Sequence, residues 1–201
     1  MTVALGLTFA EDAPSDAVVA RPAHLAVVTA PAENAESGQA RLALQVAYAK
    51  ALPGFVPFKP RDAIPLAAAL DHVASASKEL GSQLEACRGL VQITISLTPP
   101  PEEIEDASMS WLRRRAAALE CRFKGTAWMT EHLECTGPRH IGFAAQGRLI
   151  HVVGDRGIGA RIDEVLANCM PIAGTTALRG FKVLVTGPWP VFAKLDESAL
   201  K

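Results

Sequence analysis

The sequence predicts an α+β fold in two domains, and three observations carry that prediction. At 201 residues the chain can bury one large core or two small ones. From Leu90 onward, segments of period two and period 3.6 follow one another as strand, helix, strand, strand, helix, strand. That βαββαβ order is the order of the ferredoxin-like plait, an antiparallel sheet with both helices on one face. The first third instead mixes short apolar runs with an alanine-rich helix, interrupted by prolines. The expected division is an N-terminal mixed α/β domain over residues 1–88 and a ferredoxin-like C-terminal domain over residues 89–201.

The opening "MTVALGLTFA" is apolar but has no basic leader, is too short for a signal core and runs directly into Glu11 and Asp12, so it is expected to be a first strand. "HLAVVTAPAE" supplies a second, ended by Pro31. In "QARLALQVAYAKALPG", Leu42, Val46 and Ala49 share a helical stripe, with Pro53 and Gly54 as stop signals. The stretch from Leu52 to Pro65 holds four prolines together with Phe55 and Phe58. It is expected to be an ordered loop or sheet edge whose two rings need a surface to pack on. A packing helix can start at Asp62 with Pro65 in its first turn, and it places Leu66, Leu70, Val73, Leu80 and Leu84 on one face.

"LVQITISLT" alternates Val91, Ile93, Ile95 and Leu97 against Gln92, Thr94, Ser96 and Thr98, a strand with one buried face, closed by Pro99, Pro100 and Pro101. In "SWLRRRAAALECRF" the periodicity sets Met109, Leu112, Ala116, Leu119 and Phe123 on the inward face of a helix that continues past Gly125, with Arg113 to Arg115 on a solvated surface. "HIGFAA" and "LIHVV" make a hairpin around Gly147. "GARIDEVLANCM" puts Ile162, Val165, Leu166, Cys169 and Met170 on one stripe, stopped by Pro171 and Gly174. "FKVLVT" alternates Phe181, Val183 and Val185 against Lys182, Leu184 and Thr186 as the last strand.

Lys and Arg number 20 against 21 Asp and Glu, a net charge of -1. That balance leaves no electrostatic footprint for nucleic acid or anionic lipid. "RHIGFAAQG" has an aromatic-bearing RNP flavour, but it falls on the plait's second strand, the first strand carries no aromatic, and aromatics are 5% of the chain. A hydrophobic fraction of 49% and a mean hydropathy of +0.18 fit a full core with apolar surface reserved for a partner. No window approaches the roughly 18 apolar residues a membrane span needs. Cys87, Cys121, Cys135 and Cys169 are widely spaced without a CxxC, which fits reduced thiols in a cytoplasmic protein.

Chemistry-bearing patterns are sparse. "VVGDRGIGARIDEVL" joins a strand to a helix through Gly154, Gly157 and Gly159, where helix amides could hold a phosphate. The spacing reverses the dinucleotide fingerprint and lacks the P-loop Lys and Ser/Thr. Cys121, His132, Cys135, His140 and His151 are zinc-ligand types but contain no compact pair of ligand pairs. "GTTALRG" is not a nucleophile elbow. No metal and no cofactor is expected, and no catalytic residue stands out.

"VLVTGPWPVF" is the most specific stretch. With other segments it resembles the gas vesicle protein F/L family, whose members end their last strand on a GPWPPYSF-like signature. The matching positions are Gly187, Pro188, Trp189 and Pro190; Leu52, Pro53 and Phe58, like the family's "vlP…F" segment; and Gly89, Val91 and Gln92, like its mid-chain "G…vQ…v" strand. "WLRRRAA" is similar to the family's YLxRR-like helix start. The similarity runs in pieces from Pro53 to Phe192, and only TGPWP is specific. Val191, Phe192 and Ala193 depart from the PYSF-like ending, and the Arg and Gly that the family carries after Pro53 are missing.

The resemblance implies an accessory protein of gas vesicle formation, an N-terminal α/β domain with a ferredoxin-like C-terminal domain, and association with the hydrophobic shell protein and other accessory proteins at the gas vesicle. It implies no enzymatic activity. The residues singled out for interaction or for clamping the domains are Gly187, Pro188, Trp189, Pro190, Phe192, Phe55 and Phe58. Two prolines stiffen the arm that carries Trp189, so the ring works as a wedge, either within the chain or into a partner. The competing expectation is a phosphate-ligand enzyme or sensor using the Gly154–Gly159 loop.

Overall fold

The computed structural model describes residues 2–21, 24–98, 111–145, 148–173 and 180–192, with Arg114 and residues 169–173 described for the backbone alone. The expected turn at Gly147, the closing Pro99 to Pro101, Met109 and the stop at Gly174 lie outside the described residues. The chain forms two compact units, Met1–Gln92 with the chain from Pro188 on, and Ile93–Gly187. Where the sequence was divided once, between residues 88 and 89, these units divide it twice, inside the strand Leu90–Thr98 and inside the strand Lys182–Trp189.

In the first unit a five-stranded sheet is built from β1 (Thr2–Phe9), β2 (Val18–Val19), β3 (Leu25–Pro31), β4 (Val56–Pro57) and β5 (Ile64–Pro65). The order is β2-β3-β1-β4, with β5 also on β1, and every pairing is antiparallel. β1 and β3 pair from Thr2 opposite Pro31 to Phe9 opposite Leu25. Both strands are buried along almost their whole length, because each face of the sheet is covered by a helix. Val3, Leu5 and Ala30 meet Leu44 and Tyr48 of α1 (Gly38–Ala51). Ala4, Leu7, Leu25 and Val27 meet Val73, Leu80 and Leu84 of α2 (Leu66–Ala86).

Leu5 and Leu7 are two residues apart yet belong to opposite clusters, which a regular strand forbids. A register shift between Ala4 and Gly6 reconciles them, since a bulge reverses the alternation. Gly6 is required there: a Cβ would lie 2.6 Å from Phe55 Cζ and 2.6 Å from the Val56 carbonyl oxygen.

Two expectations need correction in this unit. α2 starts at Leu66 rather than Asp62, and Pro65 is its N-cap with extended backbone, because β1 claims Ile64 and Pro65 as strand partners of Ala4 and Val3. The α1 stripe of Leu42, Val46 and Ala49 is not the buried one; Arg41 and Gln45 are. The Arg41 guanidinium donates to the carbonyls of Ala35 (2.6 Å), Pro60 (2.8 Å), Arg61 (3.0 Å) and Glu36 (3.2 Å). Gln45 Nε2 donates to Leu5 O (2.7 Å) and Phe58 O (2.9 Å). Irregular backbone in the proline-rich loop thus finds its partners in two polar side chains, as buried carbonyls must.

In the second unit the element order is the one expected: β6 (Leu90–Thr98), α3 (Trp111–Glu134), β7 (His140–Ala144), β8 (Leu149–Asp155), α4 (Ile158–Ala173) and β9 (Lys182–Trp189). The sheet order is β7-β8-β6-β9, and β7 and β8 are antiparallel, His140 opposite Val153 and Ala144 opposite Leu149. Val91, Ile93, Ile95 and Leu97 are buried as their alternation predicts.

α3 departs from its predicted orientation. Gly125, Thr126, Met129 and Leu133 are buried, together with Arg122, whereas Leu112 is 70% and Phe123 59% exposed and Ala116 is exposed as well. Met129 and Leu133, one turn apart, carry the packing that the sequence assigned to the earlier stripe. α4 buries Ile158 and Ile162 and half-buries Val165 and Leu166, and it runs through Pro171 to Ala173 instead of stopping at the proline. β9 likewise outlasts its expected end at Thr186 and takes Gly187, Pro188 and Trp189 into the strand.

Candidate functional site

The TGPWP segment is where the sequence is most specific. Gly187 has φ 128°, a left-handed value that a side chain resists, so the glycine is a backbone requirement within the strand. Beyond it Pro188 and Trp189 are half-buried, Pro190 is buried, Val191 is 6% exposed and Phe192 is 42% exposed. The Phe192 N–H donates to Gln92 Oε1 at 3.1 Å, and Gln92 is itself buried on β6. Pro190 and Val191, and not the tryptophan, are the buried side chains of this tail.

Phe55 and Phe58, grouped with the tail as candidates, pack within the first unit. Phe55 is buried with Val28 and Leu52 and tilts against Tyr48 with ring centroids 6.1 Å apart. Phe58 lies against the cluster that α2 forms with the sheet. The rings therefore complete the core beside the Gly6 bulge.

The glycine loop that could have held a phosphate carries its own anion. Asp155 Oδ1 accepts the Gly157 N–H at 2.7 Å, and Arg161 Nη2 reaches Asp155 Oδ2 at 2.9 Å. Hydrogen bonding from the Arg161 side chain, with the Gly157 amide second, holds the Asp155 carboxyl below its ordinary value. Arg161 Nε also donates to Thr136 O at 2.8 Å. A phosphate at the start of α4 would have to displace a carboxylate that already uses these donors. Gly154 serves packing: a Cβ would lie 2.9 Å from Ile158 Cγ1.

The metal-ligand residue types are scattered. His132 stacks on Trp128 with centroids 3.9 Å apart, its Nδ1 2.8 Å from the Trp128 carbonyl. His151 Nδ1 lies 3.1 Å from Thr94 Oγ1, and burial lowers its pKa. Cys121 and Cys135 are exposed free thiols; Cys87 is buried, which pushes its thiol up to about 11. The Cys169 side chain lies outside the described residues. Among the described residues no group of three or more His, Cys, Asp or Glu is placed to hold a metal ion. Nor is any helix among them long and apolar enough to cross a membrane.

With this geometry in view, comparison with solved structures is informative. The chain is similar to the crystal structure of gas vesicle protein GvpF from Microcystis aeruginosa, with a TM-score of 0.61 over 96% of this chain and 97% of that one. The likeness is one of fold. Sequence identity is 9%, so it rests on the arrangement of the elements rather than on shared side chains. No family model and no curated protein sequence matches the chain. The Arg41 and Gln45 latch was not found from sequence, because a polar residue at a helical position looks solvent-facing until its carbonyl partners are known.

Proposed function

We propose that this protein is an accessory component of gas vesicle assembly, acting in the cytoplasm and at the gas vesicle, that binds the hydrophobic shell protein and other accessory vesicle proteins without catalysing a reaction. The observation that carries this reading is the end-to-end fold likeness to GvpF at a TM-score of 0.61, joined to a TGPWP ending in the last strand. The sheet order β7-β8-β6-β9 supports reading residues 89–201 as a ferredoxin-like domain, because that plait places its first and third strands side by side between the other two. The chemistry on view also supports a binding role. The start of α4 is occupied by Asp155, and Cys87 is too deeply buried to act as a ready nucleophile.

The test is co-expression of the tagged protein with a gas vesicle shell protein, followed by affinity capture. The reading expects the shell protein to be retained by the parent and lost with a Trp189→Ala, Phe192→Ala variant that still folds. Equal retention by an unrelated tagged protein would contradict it.

A further inference from the structure

We propose that the cleft between the second half of α2 and the end of β1 is a binding site for a small aromatic monoanion, which sets its carboxylate against Lys78 and its ring against Phe9. The cleft has a volume of about 470 Å³ and lies within the first unit, where Ser77, Lys78, Gly81 and Glu85 of α2 line it together with Phe9 and His24. That volume is in the range of small-ligand sites, which combine apolar walls with a few polar groups. The fold itself does not call for Gly81. Glycine is a poor residue for a helix interior, and a Cβ at Gly81 would meet only His24 Nε2, at 3.6 Å, an ordinary contact. Close approach requires Gly6 and Gly154, but nothing of that kind requires Gly81. What its missing side chain keeps open is the cleft.

The charges decide the occupant. Glu85 lies 3.8 Å from Arg88, which also reaches Glu11 at 3.2 Å and Asp12 at 3.3 Å, and the same guanidinium sits 5.3 Å from the centre of the Phe9 ring. The Ser82 hydroxyl is spent on the Lys78 carbonyl at 3.1 Å. Among the described residues, no hydrogen bond or ion pair engages the Lys78 ammonium, the His24 ring or the Ser77 hydroxyl. All three can donate, and the ammonium carries a full charge, so an anionic oxygen is the group that satisfies them together. Lys78 and Glu85 stand two helical turns apart, and a second anionic group at the far end would meet a carboxylate. The ligand therefore bears one negative charge, at the Lys78 end, and an uncharged aromatic body that crosses Gly81 to Phe9, where ring against ring adds to the apolar contact.

The probes are indole-3-propionate, its neutral amide and the cation tryptamine, each titrated calorimetrically into the full chain. Indole-3-propionate should bind about tenfold or more tightly than either of the others, and less tightly as salt rises. Lys78→Gln should lose about tenfold or more of that preference. Gly81→Met should abolish binding by filling the cleft, and both Gly81→Met and Gly81→Ala should melt at or above the parent temperature, because methionine and alanine favour a helix and glycine does not. Four results would overturn the proposal: no binding of any probe at millimolar concentration; equal binding of the acid and its amide; parent-like binding by Gly81→Met; or a lowered melting temperature for Gly81→Ala, which would show that the fold itself requires the glycine.

Discussion

Gln92 holds Phe192: the side-chain oxygen of a buried glutamine on β6 accepts the backbone N–H of the second residue past Pro190, at 3.1 Å. A hundred residues of sequence separate the two, so this bond fixes where the tail after TGPWP lies. Gln92→Leu keeps the volume and removes the acceptor. It should cost about 1–3 kcal/mol, the penalty of a partly buried amide left without its partner, as a lowered midpoint in urea unfolding with an unchanged slope.

Trp189 is half-buried and Val191 almost fully buried, which orders the effects of substitution in the tail. Trp189→Ala should destabilise by less than the about 3–5 kcal/mol typical of a fully buried aromatic. Val191→Asp should cost more than Trp189→Ala, because it places a carboxylate in an enclosed apolar site. Thermal melting of the two variants side by side checks the order, and the reverse order would show Trp189 to be the anchoring residue.

Arg41 is the residue of the first unit whose loss should be felt most widely. Its guanidinium serves four carbonyls from two loop segments, Ala35 and Glu36 on one side and Pro60 and Arg61 on the other. Arg41→Met should cost roughly 3 kcal/mol, since one buried and three part-buried hydrogen bonds are lost at once. Arg41→Lys should rescue little of that, because one ammonium cannot span the fork. Chemical denaturation of both variants is the check.

Stability should also fall in mild acid through His151. Burial lowers its pKa in the folded state, so the unfolded chain binds this proton more readily. The group therefore costs nothing above its unfolded value of about 6.5 and penalises the fold progressively as pH drops below it. His151→Gln should show a shallower loss of stability than the parent between about pH 6.5 and pH 4.5, measured by urea unfolding across that range. Parallel curves would remove His151 from the acid response.

What was legible in the sequence is what a single periodicity decides. The β6 alternation picked out the buried Val91, Ile93, Ile95 and Leu97 but placed the buried Gln92 on the wetter face, and the order from β6 to β9 followed from segment type alone. The orientation of α3 was not legible, because two apolar stripes compete on that helix. Leu112, Ala116, Leu119 and Phe123 have the stronger pattern, but Met129 and Leu133 have the packing. The prolines at 65, 171 and 188 misled in different directions. Pro65 proved to be a strand partner and cap, Pro171 sits inside the helix it was expected to stop, and the strand read as ending at Thr186 runs on through Pro188, which a local signal cannot foretell. For the candidate site, the sequence singled out TGPWP but could not show that Gln92, far upstream, receives its tail.

Gene deletion is the measurement that tests the central claim most directly. If the protein is an accessory factor of gas vesicle assembly, cells lacking its gene should form no buoyant vesicles, and the intact gene supplied in trans should restore them. Normal, buoyant vesicles in the deletion strain would contradict the account.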